Sequence, residues 1–258
     1  MTLNVESGSV GSDAEVVNSE VNVSGGTVGD DFQAFSGSTI NVSGGQIGSF
    51  GFSITSTPSI EAFDGSTVNI SGGSVGTGLE ANNGSTINIS AGVIGSIGAN
   101  DGSTVDISGG TFDPFTARTG STVNIFATEF FLNGSPIGAS TLGEPFTISD
   151  RGEDVVLSGV FADGTLFDFD LNPNNPPIIL RNDFFVSDST LTITRVASTV
   201  LLGDVNLDGV LDFLDISPFI TVLATGGSQV EADINQDGTV DFLDIGPFII
   251  LLSQLIDA

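Results

Sequence analysis

Gly37-Ser38-Thr39-Ile40-Asn41-Val42-Ser43-Gly44-Gly45 returns as Gly65-Ser66-Thr67-Val68-Asn69-Ile70-Ser71-Gly72-Gly73, again from Gly84 to Gly92 and from Gly102 to Gly110, and in weakened form from Gly120 to Ile125. Degenerate copies precede these at Leu3-Asn4-Val5 and Val21-Asn22-Val23-Ser24. The first apolar residue of each copy stands at 3, 21, 40, 68, 87, 105 and 123, so the steps are 18, 19, 28, 19, 18 and 18 residues. A step of 18 or 19 is too short for a helical repeat and suits one turn of a parallel β-helix, each strand pairing with its equivalent in the next coil.

Working outward, further apolar columns share the step. Val10, Val28, Ile47, Val75, Ile94 and Phe112 form one, and Val16, Ala34, Ala62, Ala81, Ala99 and Ala117 another. The unequal spacing of Ile70, Val75 and Leu79 departs from the strict six-residue period of left-handed β-helices. The expectation is a mainly β chain: a right-handed parallel β-helix of about seven coils over 1–126, a β-rich cap or linker over 127–200, and a small α-helical module over 203–258. The two-residue alternation of strands turns Thr39, Asn41 and Ser43, and their equivalents, outward into polar ladders. The 28-residue step implies a loop insertion over 48–59, either a functional loop on a rigid scaffold or a tolerated one with Phe50 or Phe52 packed on the rod.

Beyond residue 126 the repeat dissolves. Val155 to Phe161, Asp163-Gly164 and Thr165 to Leu171 read as a hairpin with a tight turn, and Thr190 to Thr194 alternates like a further strand. An open β-helix end needs covering, because bare strand edges and apolar columns aggregate. The N-terminus shows no comparable cap, so a longer chain is expected; Met1 to Val5 has neither the basic nor the apolar stretch of a signal peptide, so either a signal lies upstream or there is none.

The 258 residues carry 32 acidic and four basic side chains, for a net charge of −28, and lack His, Lys, Cys, Trp and Tyr. This excludes Ser–His triads, Schiff bases, thiolate nucleophiles, disulfides and imidazole zinc sites. Four scattered arginines cannot neutralise a phosphate backbone, so nucleic acid is excluded as a partner. No stretch approaches the roughly 20 apolar residues that insert into a membrane.

Asp204, Asn206, Asp208, Val210, Asp212 and Asp215 fall at positions 1, 3, 5, 7, 9 and 12 of a loop with Gly209 at position 6. That spacing fits Ca²⁺, which takes six to eight oxygens, including the position-7 backbone carbonyl, around a sharp turn. Asp233, Asn235, Asp237, Thr239, Asp241 and Asp244 repeat it 29 residues later, and 12 of 17 residues are identical between 204–220 and 233–249. Two calcium ions are the cofactors expected. Helices should begin near Ser217-Pro218 and Gly246-Pro247, where Pro suits a first turn.

This duplicated loop, followed each time by one helix and closed by Asp at position 12, resembles the type I dockerin family over about residues 203–256. The resemblance implies calcium-dependent folding and docking onto a cohesin domain of a partner scaffold. It also implies contact with cohesin by the residues at positions 10 and 11, here Phe213-Leu214 and Phe242-Leu243 where the family usually has a small polar pair. These apolar pairs either bind a differently tuned cohesin or pack the two helices together.

Three functions are weighed. The first is a non-catalytic extracellular or cell-surface structural or adhesion rod, anchored through the calcium-loaded tail. The second makes the rod a dockerin-borne polysaccharide hydrolase or lyase, and the third a face that binds polysaccharide or ice without turnover. The outward Thr, Asn and Ser columns, with Asp106 the one acid in the Asn column, and the absence of stacking Trp and Tyr weigh against catalysis.

Overall fold

Each copy of the repeat places its apolar pair on one side of a short strand, and the strands pair in register from coil to coil. The computed structural model describes residues 1–258 apart from 50–56, 113, 139–140, 175–182, 208–209, 228 and 256–258. It divides into two units, Met1–Ala197 and Ser198–Ala258. In the first, Thr2–Val5, Glu20–Val23, Thr39–Val42, Thr67–Val75, Thr86–Ile94, Thr104–Ile107 and Thr122–Ala127 stack as parallel neighbours, with Val68 opposite Ile87 and Asn69 opposite Asn88. A second wall stacks Glu15–Val16, Phe32–Ala34, Ile60–Ala62, Leu79–Ala81, Ile97–Ala99 and Phe115–Ala117. Six complete turns of a β-solenoid result, and Thr122–Ala127 opens a seventh. The strands of one turn are unequal, four, two and three residues in Glu20–Val23, Thr27–Val28 and Phe32–Ala34, unlike the three equal faces of a six-residue repeat.

The interior is dry and stacked. Ile40, Val68, Ile87, Val105 and Val123 are all fully buried, as are Ala34, Ala62, Ala81, Ala99 and Ala117 on the facing wall. At the corners the Gly-Gly pair has a steric reason: a Cβ on Gly72 would stand 2.6 Å from the Ser43 carbonyl oxygen of the preceding coil, and Gly73 has φ +74°. The serine of each Gly-Ser-Thr is buried too. The Ser121 hydroxyl donates to the Arg118 carbonyl, three residues back, at 2.6 Å, and Ser189, in Asp188-Ser189-Thr190, donates likewise to Val186 at 2.7 Å.

After Ala127 the chain leaves the stack into an antiparallel sheet of Glu129–Leu132, Ser135–Pro136, Val156–Val160 and Leu166–Asp170, which contains the hairpin expected around Asp163-Gly164. It then returns. Phe184–Phe185 pairs in parallel with Thr116-Ala117, and Thr190–Arg195 lies in parallel register with Thr122–Ala127. Val123 thus faces Leu191, 68 residues on, where the usual step is 18 or 19. Pro145–Ile148 pairs antiparallel with Thr190–Arg195 and covers that strand's outer edge. The excursion is fastened by Asp183, whose carboxylate accepts from the Phe115 N–H at 2.6 Å and the Asp170 N–H at 3.0 Å, and by Phe115, Phe169 and Phe185, whose rings lie 5.2 to 5.8 Å apart.

The insertion is pinned at its neck: Asp30 accepts from the N–H and hydroxyl of Ser49 at 2.9 and 3.0 Å and from the Ser59 hydroxyl at 3.2 Å. Its centre, with Phe50 and Phe52, lies outside the described residues.

Among its described residues the second unit holds two α-helices, α1 (Ile216–Thr225) and α2 (Ile245–Gln254), each with its proline in the first turn. Phe219 and Phe248 stack at 4.2 Å between ring centres, and Val205, Ala232, Ile234 and Leu252 complete the buried core.

Candidate metal and docking site

The two loops of the second unit fold alike because their side chains cap their own backbone. Asp215 accepts from the Asn206 N–H at 3.0 Å and the Asp212 N–H at 2.8 Å; Asp244 accepts from the Asn235 N–H and the Asp241 N–H at 2.9 Å each. Asp212 and Asp241 in turn accept from the N–H groups of Leu214 and Leu243 at 2.6 and 2.7 Å. Position 4 is left-handed in both loops, at Leu207 (φ +60°) and Gln236 (φ +59°), a conformation that side chains other than Gly resist. Gly238 at position 6 has φ +90°.

In the second loop, Asp233 accepts from the N–H groups of Asp237 and Gly238 at 3.1 and 2.9 Å. The Thr239 hydroxyl, at 2.7 Å, is the main cause that holds the Asp237 carboxyl below the usual carboxylate range; Asn235 and the Thr239 N–H add to it. In the first loop Asp204 is buried, whereas Asp208 and Gly209 lie outside the described residues. Among the described residues no three carboxylates converge into a ready-made ion cage. The loops bring the acids to one turn and commit several of their oxygens to backbone N–H groups.

The donor set nevertheless fits a hard divalent cation. Asp215 and Asp244 are fully buried, and no Lys, Arg or His occurs anywhere from 198 to 258 to balance them. Each of their carboxylate oxygens takes one N–H, which leaves lone pairs over. A buried carboxylate without a positive partner is costly, and an ion ligated by oxygen removes that cost.

Phe213, Leu214, Phe242 and Leu243 do not pack the helices together. They are 58, 68, 80 and 65% exposed, and the interhelical contact is made by Phe219 and Phe248 instead. Ile220 on α1, and Ile249 and Ile250 on α2, are exposed as well.

Residues 202–247 form a dockerin type I domain by family comparison. Type I dockerins are calcium-binding domains that dock on cohesins, and the matched stretch spans both loops and α1 and ends in the first turn of α2. Neither the curated proteins nor the solved structures gave a match to the chain. Among the described residues, no helix is long and apolar enough to cross a membrane.

Sequence reasoning singled out the loop positions of the dockerin domain but missed that its position-12 acids are wholly buried. Nothing local in the sequence signalled that burial, in which each carboxylate is turned onto the N–H groups of its own loop.

Proposed function

We propose that this protein is a non-catalytic extracellular or cell-surface rod, attached to a cohesin-bearing scaffold through its dockerin domain. Two calcium ions fold that domain, one held by Asp204, Asn206, Asp208, Val210, Asp212 and Asp215, the other by Asp233, Asn235, Asp237, Thr239, Asp241 and Asp244. The observation that carries this reading is the pair of buried acids, Asp215 and Asp244, in a unit without one basic side chain. Calcium supplies charge: ten acids in 203–258 against two divalent ions leaves −6 where the bare tail has −10.

Phe213-Leu214 and Phe242-Leu243 are the contacts with cohesin. Exposed apolar side chains gathered in this way mark interaction surfaces on soluble domains. Polysaccharide is a second partner class, for the solenoid. The test is capture of the full chain on an array of purified cohesin modules. Capture should occur in calcium and be lost in chelator, and a variant with Phe213, Leu214, Phe242 and Leu243 all replaced by Ser should lose it while keeping its helical signal. Calcium-independent capture, or capture undiminished in that variant, would count against the assignment.

A further inference from the structure

The two repeats of the dockerin domain diverge at one exposed position. Gly246, in the first turn of α2, has Phe242 and Leu243 four and three residues before it and Ile249 and Ile250 three and four residues after it, the spacings that make neighbours on a helical surface. Phe242 and Leu243 belong to the turn that leads into α2 through Asp244, whose backbone is already helical at φ −79° and ψ −21°. All four flanking side chains are exposed. In the first repeat the same places hold Ser217 among Phe213, Leu214, Ile220 and Thr221, so that face carries hydroxyls, of which Thr221 donates to the Ser217 carbonyl at 2.9 Å.

Nothing in the fold asks for glycine at 246. Its φ lies outside the left-handed region, and an added Cβ would meet no atom of the described residues within 4 Å. The bond to Pro247 does not require glycine either, since Ser217 precedes Pro218 at the same place in α1. Glycine weakens a helix relative to alanine, so helical stability is given up to keep this point of the surface low. The result is a notch ringed by exposed apolar side chains, the arrangement that receives a protruding side chain from a partner.

We propose that the Gly246 notch is the docking seat for one protruding apolar side chain of the cohesin-type partner, a side chain ringed on that partner by Lys and Arg. The basic ring follows from charge: residues 203–258 carry ten acids and no basic side chain, so the complementary face is positive. A second copy of this chain brings the same ten acids to the contact and is the poorer occupant. The inference rests on the docking reading above and adds to it which repeat receives the partner and what the partner presents.

Capture of the full chain on an array of purified cohesin modules, in calcium, tests it. Gly246→Leu fills the notch and should weaken capture about tenfold or more, whereas Ser217→Leu, at the equivalent place in the first repeat, should keep it. Gly246→Ser copies the first repeat, so the fold accommodates it, and it should weaken capture as well; both Gly246 variants should keep the helical circular dichroism of the parent. Added salt should weaken capture by screening the basic ring. Undiminished capture of both Gly246 variants, an equal loss in Ser217→Leu, or capture insensitive to salt would overturn the proposal and leave docking itself standing. A dimer of the free chain that Gly246→Leu dissociates would overturn it too, by giving the notch to a second copy. Failure of every module to capture the wild-type chain would instead overturn the docking reading, and this inference with it.

Discussion

Replacing Asp106 by Asn should stabilise the solenoid, an unusual outcome for a substitution in a regular ladder. In the wild type the amide chain from Asn4 to Asn88 and the Asn124–Asp106 pair run in the same direction, with an acceptor-to-acceptor junction between them. Asparagine at 106 still accepts from Asn124 and can also donate to the Asn88 oxygen. One added hydrogen bond is worth about 1 kcal/mol net. For a unit of this size that corresponds to a midpoint rise of about 2–4 °C. Thermal unfolding followed by the β-sheet circular dichroism signal reads it, with Glu15→Gln, an exposed acid with the same loss of charge, as the control. A fall in the midpoint would refute the reasoning: the amides from Asn4 to Asn88 would then point forward, and Asp106 would be accepting charge-assisted bonds from both sides.

Ile89→Asp sets a charge among the fully buried Ile and Val columns and should abolish cooperative unfolding of the β signal; a variant that melts like its parent would mean the facing of the strand is misassigned. Phe248→Ala removes half of the Phe219 stack at a cost of about 3–5 kcal/mol, enough to erase the helical signal of so small a unit in limiting calcium; retention of that signal would show that the core lies elsewhere. Glu61 is pushed up first by burial and further by Asp31 and Glu80, while the Gln33 amide opposes the rise. A carboxyl raised in the folded state contributes stability below its unfolded pKa that is lost as pH rises through the folded value. Glu61→Gln should therefore melt higher than wild type at neutral pH and converge with it near pH 4, a difference that midpoints measured across that range would reveal or deny.

The solenoid was legible because every coil repeats the same bargain between an apolar pair inside and Thr and Asn outside, and the 18-to-19-residue step marks where each strand returns. The return of the stack at Phe184–Phe185 and Thr190–Arg195 was not legible as such. A 68-residue step hides register that only the Val123–Leu191 pairing shows, so Thr190 to Thr194 reads locally as one more strand of a cap. The buried serines of Gly-Ser-Thr were hidden as well, since a hydroxyl satisfied by a backbone carbonyl, as Ser38 is by Val16 and Ser121 by Arg118, looks polar in a sequence. In the dockerin domain the duplicated loop spacing marked the family, whereas the two readings of Phe213-Leu214 and Phe242-Leu243 could not be separated without knowing that Phe219 and Phe248 fill the interhelical space.

The role of calcium in building the docking domain is tested most directly by calorimetric titration of metal-stripped full chain with Ca²⁺, read together with helical circular dichroism. Two equivalents should bind, one should remain in Asp215→Ala and one in Asp244→Ala, and helix should appear only as the ions bind, with Mg²⁺ a poor substitute because it demands a smaller octahedral shell. Absence of heat with Ca²⁺, or a helical signal equally strong in chelator, would contradict the calcium assignment and the docking function built on it.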